Sequence, residues 1–121
     1  MTAQTHELAV APIPRTIDGI ADALPSAKRA AFNAEARATE AADLEACLTK
    51  WWAEAVLEAA APTEDVSAAP GHTSMTIVFL RRIAAGGAVD WSEIEAMRHR
   101  GGARHIDWAA IDRARAAAGA A

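Results

Sequence analysis

The chain has 121 residues, a formal net charge of −4 and a hydrophobic fraction of 52%, and this size suits one domain rather than two. The mild negative charge argues against general electrostatic attraction to nucleic acid or an anionic membrane, although not against a local basic patch. The single cysteine cannot form an internal disulfide. The sequence does not begin with the basic residues and apolar run that are typical of an export signal. We therefore expect a cytoplasmic protein that does not enter the membrane.

Alanine dominates the composition and points to helices. The chain contains 34 alanines and no tyrosine, and alanine is the strongest helix former. The sequence therefore predicts an all-α fold, a small bundle of about five to six short helices. Because burying alanine removes little surface from water, we expect a thin core that depends on four Trp, two Phe and the larger aliphatic side chains.

The first residues show no helical periodicity. Pro12 and Pro14 remove backbone donors and disfavour helix at the residues before them. We therefore expect residues 1–15 to be a flexible tail and residues 16–121 to form a single helical domain. A polar segment with Pro and Gly, residues 62–72, is the place where that domain could subdivide.

Two short helices should follow the tail. The first should span about residues 16–24 and end at Pro25, which interrupts the helical pattern. Its apolar face should consist of Ile17, Ile20 and Leu24. Ser26 is a good cap for the second helix, of about residues 27–39, which has Phe32 as its only large apolar side chain.

The clearest amphipathic helix should span about residues 42–60. Its apolar stripe consists of Leu44, Cys47, Leu48, Trp51 and Ala55. Trp51 lies near the middle of this stripe, whereas Trp52 lies about 100° further round the axis. We expect Trp51 to fill the core and Trp52 to be partly exposed, as tryptophans at interface hot spots often are. The alternative is that packing against the other helices buries both.

Residues 73–85 allow two interpretations. The run from Met75 to Leu80 resembles a buried strand by composition. Yet Ser74 can cap a helix, two arginines would complement the dipole of its last turn, and Gly86 and Gly87 would end it. We favour a helix, since a lone strand needs partners and the sequence offers no other strand.

The C-terminal part contains one pattern twice. An apolar residue, Asp and Trp are followed by Ile four residues after the Asp and by Arg eight residues after it, first at Asp90 and again at Asp107. In each copy Asp can cap a helix, while the preceding apolar residue and the Ile can form a hydrophobic staple. This pattern predicts two short helices, of about residues 91–100 and 108–118, joined by a turn.

A basic cluster lies between these two helices, and its members are Arg98, His99, Arg100, Arg104 and His105. It could dock phosphates or an acidic partner. It could also belong to a helix-turn-helix, because two short helices flank a turn that contains glycine. The third interpretation is that these side chains simply interact favourably with the dipole of a helix C-terminus.

Catalytic and metal-binding patterns are weak. His6, His72, His99 and His105 do not form the four-residue spacing of a zinc peptidase. Cys47 lies on an apolar stripe, which favours a buried, inert thiol over a nucleophile. We therefore predict no catalytic residues, no metal and no cofactor.

One part of the chain carries a family resemblance. The residues that carry the resemblance are Ile20 to Pro25, then Arg29, Phe32 and Glu35, and then Leu44, Leu48, Trp51 and Trp52 in a leucine-spaced helix. With these residues the first half of the chain resembles small helical proteins of GC-rich bacteria. Some of those resemble the antitoxin-side partners of RelE/ParE-like toxins. The resemblance covers about residues 17–57 and implies a non-enzymatic regulatory or neutralising role.

The functional hypothesis from the sequence is a non-enzymatic helical module that binds a protein partner and neutralises or regulates it. Its contacts would use Trp51 and Trp52, with the basic cluster as a further candidate. One alternative is a nucleic-acid-binding regulator that uses Arg98, Arg100 and Arg104, and another is an accessory protein of a phage or mobile element. A homo-oligomer also stays open.

Overall fold

The computed structural model describes residues 10–62, 74–100 and 106–119. These residues form six α-helices and no β-strand, which confirms the all-α prediction. The helices are α1 (Ile17–Ala23), α2 (Ser26–Ala38), α3 (Ala41–Ala60), α4 (Met75–Ala84), α5 (Trp91–Arg100) and α6 (Trp108–Ala117). No helix in the described ranges is both long and apolar enough to cross a membrane.

Short polar side chains begin four of the six helices. Each of them accepts a hydrogen bond from the backbone N–H three residues later, which satisfies a donor that the helix leaves unpaired. The four are Thr16, Ser74, Asp90 and Asp107, with distances of 2.9, 3.2, 3.1 and 3.1 Å. The prediction for Ser26 is wrong, because the chain enters the helix one residue earlier: Pro25 is the N-cap and Ser26 is the first helical residue.

The ambiguous central segment is a helix. Ser74 caps α4, and the chain leaves it through Gly86, whose φ of 76° lies in the left-handed region that glycine adopts without strain. Most of the apolar run is buried because one side of α4 faces the core, whereas Met75 at its start is 46% exposed. Its buried residues are Thr76, Ile77, Phe79, Leu80, Ile83 and Ala84. A segment whose composition is typical of a strand therefore forms a helix that buries most of its apolar residues.

The core is built around α3, which contacts α1, α2, α4 and α6. The contact between α3 and α6 is the most extensive in the bundle, and both helices contribute fully buried alanines to the core. The fully buried alanines are Ala55 and Ala60 on α3 and Ala110, Ala114 and Ala117 on α6. Helices on both sides of the polar segment contribute side chains to this core. Residues 63–72 of that segment lie outside the described residues.

Part of the segment that was predicted to be a flexible tail packs onto the bundle. Residues 1–9 lie outside the described residues, but residues 10–15 pack onto the bundle. The Ile13 N–H donates to the carbonyl of Ala117, and the Ile13 carbonyl accepts from the indole N–H of Trp52, both at 2.8 Å. The backbone between two prolines is therefore held in place by two hydrogen bonds, one to the carbonyl of a helix C-terminus and one from a tryptophan side chain.

The apolar face of α1 is narrower than predicted. Ile20 and Leu24 are buried, with 0% and 2% of their surface exposed, whereas Ile17 remains 42% exposed. The reason is geometric, since Ile17 is the first residue of a helix of only 7 residues. The core lies beside the later part of α1.

Candidate interaction surface

The two adjacent tryptophans have opposite roles from those predicted. Trp52 is only 2% exposed and is one of the largest fully buried side chains, while Trp51 is half-buried. The N-terminal segment contributes two contacts to the buried Trp52. Besides the bond from Trp52 to Ile13, the guanidinium of Arg15 lies 3.9 Å above the Trp52 ring, so the predicted exposure of Trp52 is wrong.

The buried face of α3 is accordingly turned from the predicted stripe. The buried residues of this helix are Cys47, Trp52, Ala55, Val56 and Ala60. Leu44 and Leu48 are only half-buried. Cys47 and Ala55 of the predicted stripe are therefore in the core, whereas Leu44, Leu48 and Trp51 lie at its edge. Trp52, which was expected about 100° from the middle of the stripe, is buried.

Trp51 lies between the core and the surface. Its ring is 5.7 Å from that of Phe32 on α2, at an interplanar angle of 56°, a tilted arrangement that aromatic pairs favour. Its indole N–H donates to Glu35 at 3.2 Å, and the ammonium of Lys50 lies 5.5 Å from the ring centroid. Trp51 is therefore held in place while part of its surface faces solvent.

An open trough lies beside Trp51, between the end of α2 and the first half of α3. Its volume is about 480 Å³. The residues that line it are Glu35, Ala38, Thr39, Glu40, Asp43, Ala46, Cys47 and Lys50. We call this concavity the α2–α3 trough. Three carboxylates and one ammonium give its wall a net negative charge.

Glu35 organises this wall. Its carboxylate accepts from Lys50 at 2.6 Å and from the indole N–H of Trp51 at 3.2 Å. The hydrogen bond from Lys50 is the main reason that the pKa of Glu35 lies below its ordinary value, and the bond from Trp51 contributes next. The group joins α2 to α3 at the rim of the trough.

We expect the Glu35 contacts to stabilise the protein in a pH-dependent way. A carboxyl with a lowered pKa in the folded state adds stability above its unfolded pKa and loses it as the pH falls through the folded pKa. Glu35→Gln should therefore be less stable than the wild type near neutral pH, and the difference should vanish in acid. Urea denaturation across a pH series measures this difference. Glu45→Gln, which removes an exposed carboxylate from α3, is the matched control, and an equal loss at every pH would contradict the expectation.

Cys47 is buried, with 6% of its surface exposed, as predicted. It is one of the residues that line the α2–α3 trough. Among the described residues no group of three or more His, Cys, Asp and Glu side chains is placed to hold a metal ion. His99 is exposed on α5, while His6, His72 and His105 lie outside the described residues.

The predicted basic cluster is divided by the structure. His99 and Arg100 are exposed in the last turn of α5, and Arg104 and His105 lie outside the described residues. Arg98 faces inward instead. Its guanidinium donates to Asp112 at 2.8 Å and to the Trp108 carbonyl at 3.3 Å, which ties α5 to α6.

The pattern that begins at Asp90 and again at Asp107, which we call the tandem pattern, places side chains that connect the two helices. The sequence indicated these contacts only in part. Arg98 from the first copy lies over Trp108 of the second, and Arg115 from the second copy lies over Trp91 of the first, at 4.7 and 4.3 Å. The two arginines of these contacts, which follow each Asp by eight residues, are part of the pattern identified in the sequence. The acid at the fifth position, Glu95 or Asp112, was overlooked, although it completes both contacts.

Comparison with protein-family models, with curated proteins and with solved structures finds no match for this chain in any of the three.

Proposed function

We propose that this chain is a non-enzymatic interaction module that binds a protein partner through the α2–α3 trough and the exposed part of Trp51. The observation that carries the proposal is an open concavity of about 480 Å³ with an acidic wall and a well-anchored tryptophan beside it. Tryptophans that are rigid before binding are favoured as interface anchors, because little side-chain entropy is lost.

The charge of the trough indicates the chemistry of the partner. Glu40 and Asp43 are exposed on its wall, and Lys50 already pairs with Glu35. Acidic side chains without a basic neighbour across the trough favour a partner segment that carries Lys or Arg beside an apolar side chain. The resemblance of residues 17–57 to antitoxin-side proteins makes a toxin-like protein, encoded by the neighbouring gene, the first partner to test.

The test compares the affinity of that partner for three variants. Trp51→Ala and the double variant Glu40→Lys/Asp43→Lys should each weaken binding by about tenfold or more, the double variant most strongly at low salt. Asp22→Lys/Glu45→Lys makes the same change in net charge at exposed positions outside the trough and should bind nearly as the wild type does. Isothermal titration calorimetry supplies the affinities, and circular dichroism checks that each variant is folded.

Two results would count against the proposal. If reversal of the trough charges and truncation of Trp51 both leave the affinity unchanged, the partner binds elsewhere. If the control double variant weakens binding as much as the trough variant does, the effect comes from net charge rather than from this surface.

A nucleic-acid-binding role is the second candidate, and the exposure of His99 and Arg100 supports it. Binding to phosphates would fall steeply with salt concentration. Duplex DNA should then shift in a gel at low salt, and Arg100→Gln should weaken the shift. The engagement of Arg98 with α6 removes one cation from this surface, and a complete lack of a shift at low salt would dismiss the candidate.

A further inference from the structure

Helix α5 is the least embedded of the six helices. Ile94 is its only buried residue, and no other helix lies as close to its backbone as α3, α4 and α6 lie to one another. Trp91 and Met97 are partly buried against the core. The inner side of α5 faces α4, where Phe79 and Ile94 line a small cavity of about 70 Å³. Side chains rather than close helix packing thus hold this helix in place.

The first of two side-chain clamps reaches from α5 to α6. The Arg98 guanidinium lies over the Trp108 ring, and its Nη2 donates to Asp112 at 2.8 Å. This clamp is incomplete, because the buried Nε of Arg98 has no hydrogen-bond partner among the described residues. A buried donor without a partner costs free energy, which lowers the net value of the contact.

The second clamp runs in the opposite direction. Arg115 on α6 lies over the Trp91 ring and pairs with Glu95 at 3.5 Å. A shift of seventeen residues relates the members of the two clamps: Trp91 to Trp108, Glu95 to Asp112 and Arg98 to Arg115. The tandem pattern therefore encodes a reciprocal pair of contacts between two helices, and both contacts are electrostatic.

We propose that α5 is a releasable cover, held on the bundle by these two clamps and opening as a unit before the rest of the protein unfolds. Ion pairs and cation–π contacts at partly exposed sites are weak and lose strength in salt. The apolar helix contacts around α3 are not weakened by screening in this way. Release of α5 would uncover Phe79 on α4, which is only 3% exposed in the closed structure.

Amide hydrogen exchange on the full-length protein tests the proposal, because it measures the opening of each helix separately. Between about 0.1 M and about 1 M NaCl the screening length falls from about 10 to about 3 Å. The exchange rates of α5 amides should rise by about tenfold, while those of α3 and α6 should change less than about twofold. The wild-type salt series needs no variant and so stays informative if a substitution unfolds the chain.

Substitutions then test the clamps themselves. Asp112→Asn and Arg98→Gln should each speed α5 exchange at low salt by about tenfold, and the double variant should exceed neither by much, because both remove the same clamp. Glu54→Gln is the matched control, since it removes the same charge from a partly exposed pair with Lys28 between α2 and α3.

Three outcomes would overturn the proposal. The first is α5 exchange at the same rate as α3 and α6 exchange, which would mean that α5 opens only in global unfolding. The second is α5 exchange that does not respond to salt. The third is an equal rise of α5 exchange in Glu54→Gln, which would assign the effect to general destabilisation rather than to the clamps.

Discussion

Trp52→Ala is expected to lower the free energy of unfolding by about 3–5 kcal/mol, the range for removing a large buried aromatic side chain. Trp52 is 2% exposed at the centre of the buried face of α3. The truncation would leave a cavity and would also release the N-terminal segment. The Ile13 carbonyl would lose its indole donor, and Arg15 would lose the ring on which it lies. Urea denaturation followed by circular dichroism measures the loss.

Trp51→Ala provides the internal comparison, since it makes the same substitution one residue away. Trp51 is half-buried, so its truncation should cost only about 1–2 kcal/mol. Phenylalanine would fill part of the space that tryptophan occupies. Trp52→Phe should therefore lower the free energy of unfolding less than Trp52→Ala does. Equal losses for Trp51→Ala and Trp52→Ala would contradict the assignment of Trp52 to the core and of Trp51 to its edge.

Ala114→Leu should destabilise the protein by about 1–3 kcal/mol, even though it adds apolar surface. Ala114 is fully buried on α6, the helix that packs most closely against α3. Alanines allow two helices to approach closely, and a larger side chain must then either push the helices apart or adopt a strained rotamer. The added methyl groups of leucine would therefore work against the closest contact in the bundle.

Ala109→Leu on the same helix is the matched control, because Ala109 is exposed. Its expected effect is within about 0.5 kcal/mol, since leucine and alanine are both good helix formers. Thermal and urea unfolding of the two variants measure the difference. If Ala114→Leu is as stable as the wild type, the α3–α6 contact has room to spare and does not depend on small side chains.

These alanines change the picture of the core that composition suggests. Composition indicates a thin core held by a few large side chains, and Trp52, Phe32 and Leu80 do occupy it. Yet α3 and α6 also bury alanines completely, and small side chains allow helices to approach closely even though little area is removed from water. Buried area alone therefore understates what alanine contributes to this core.

The candidate site could be predicted from the sequence only in part. The adjacent tryptophans predicted a site on α3. The α2–α3 trough, however, depends on Glu35, Glu40 and Asp43. The charge pattern does not distinguish these three from other acidic residues on solvated helix faces. Likewise the basic cluster was visible, whereas the inward turn of Arg98 depends on Asp112 in another helix. Contacts between residues distant in sequence decide such roles, and helical periodicity carries no record of them.

What the sequence determined by itself is where helices begin and end. Thr16, Ser74, Asp90 and Asp107 cap helices through bonds to residues only three positions away, and Gly86 ends α4 through its own backbone freedom, so these features are local. The tertiary structure decided what periodicity left open, above all which tryptophan of α3 is buried. Trp52 is the core residue, and Ile13, 39 residues away, accepts a hydrogen bond from it; such a contact forms only when the whole bundle has assembled.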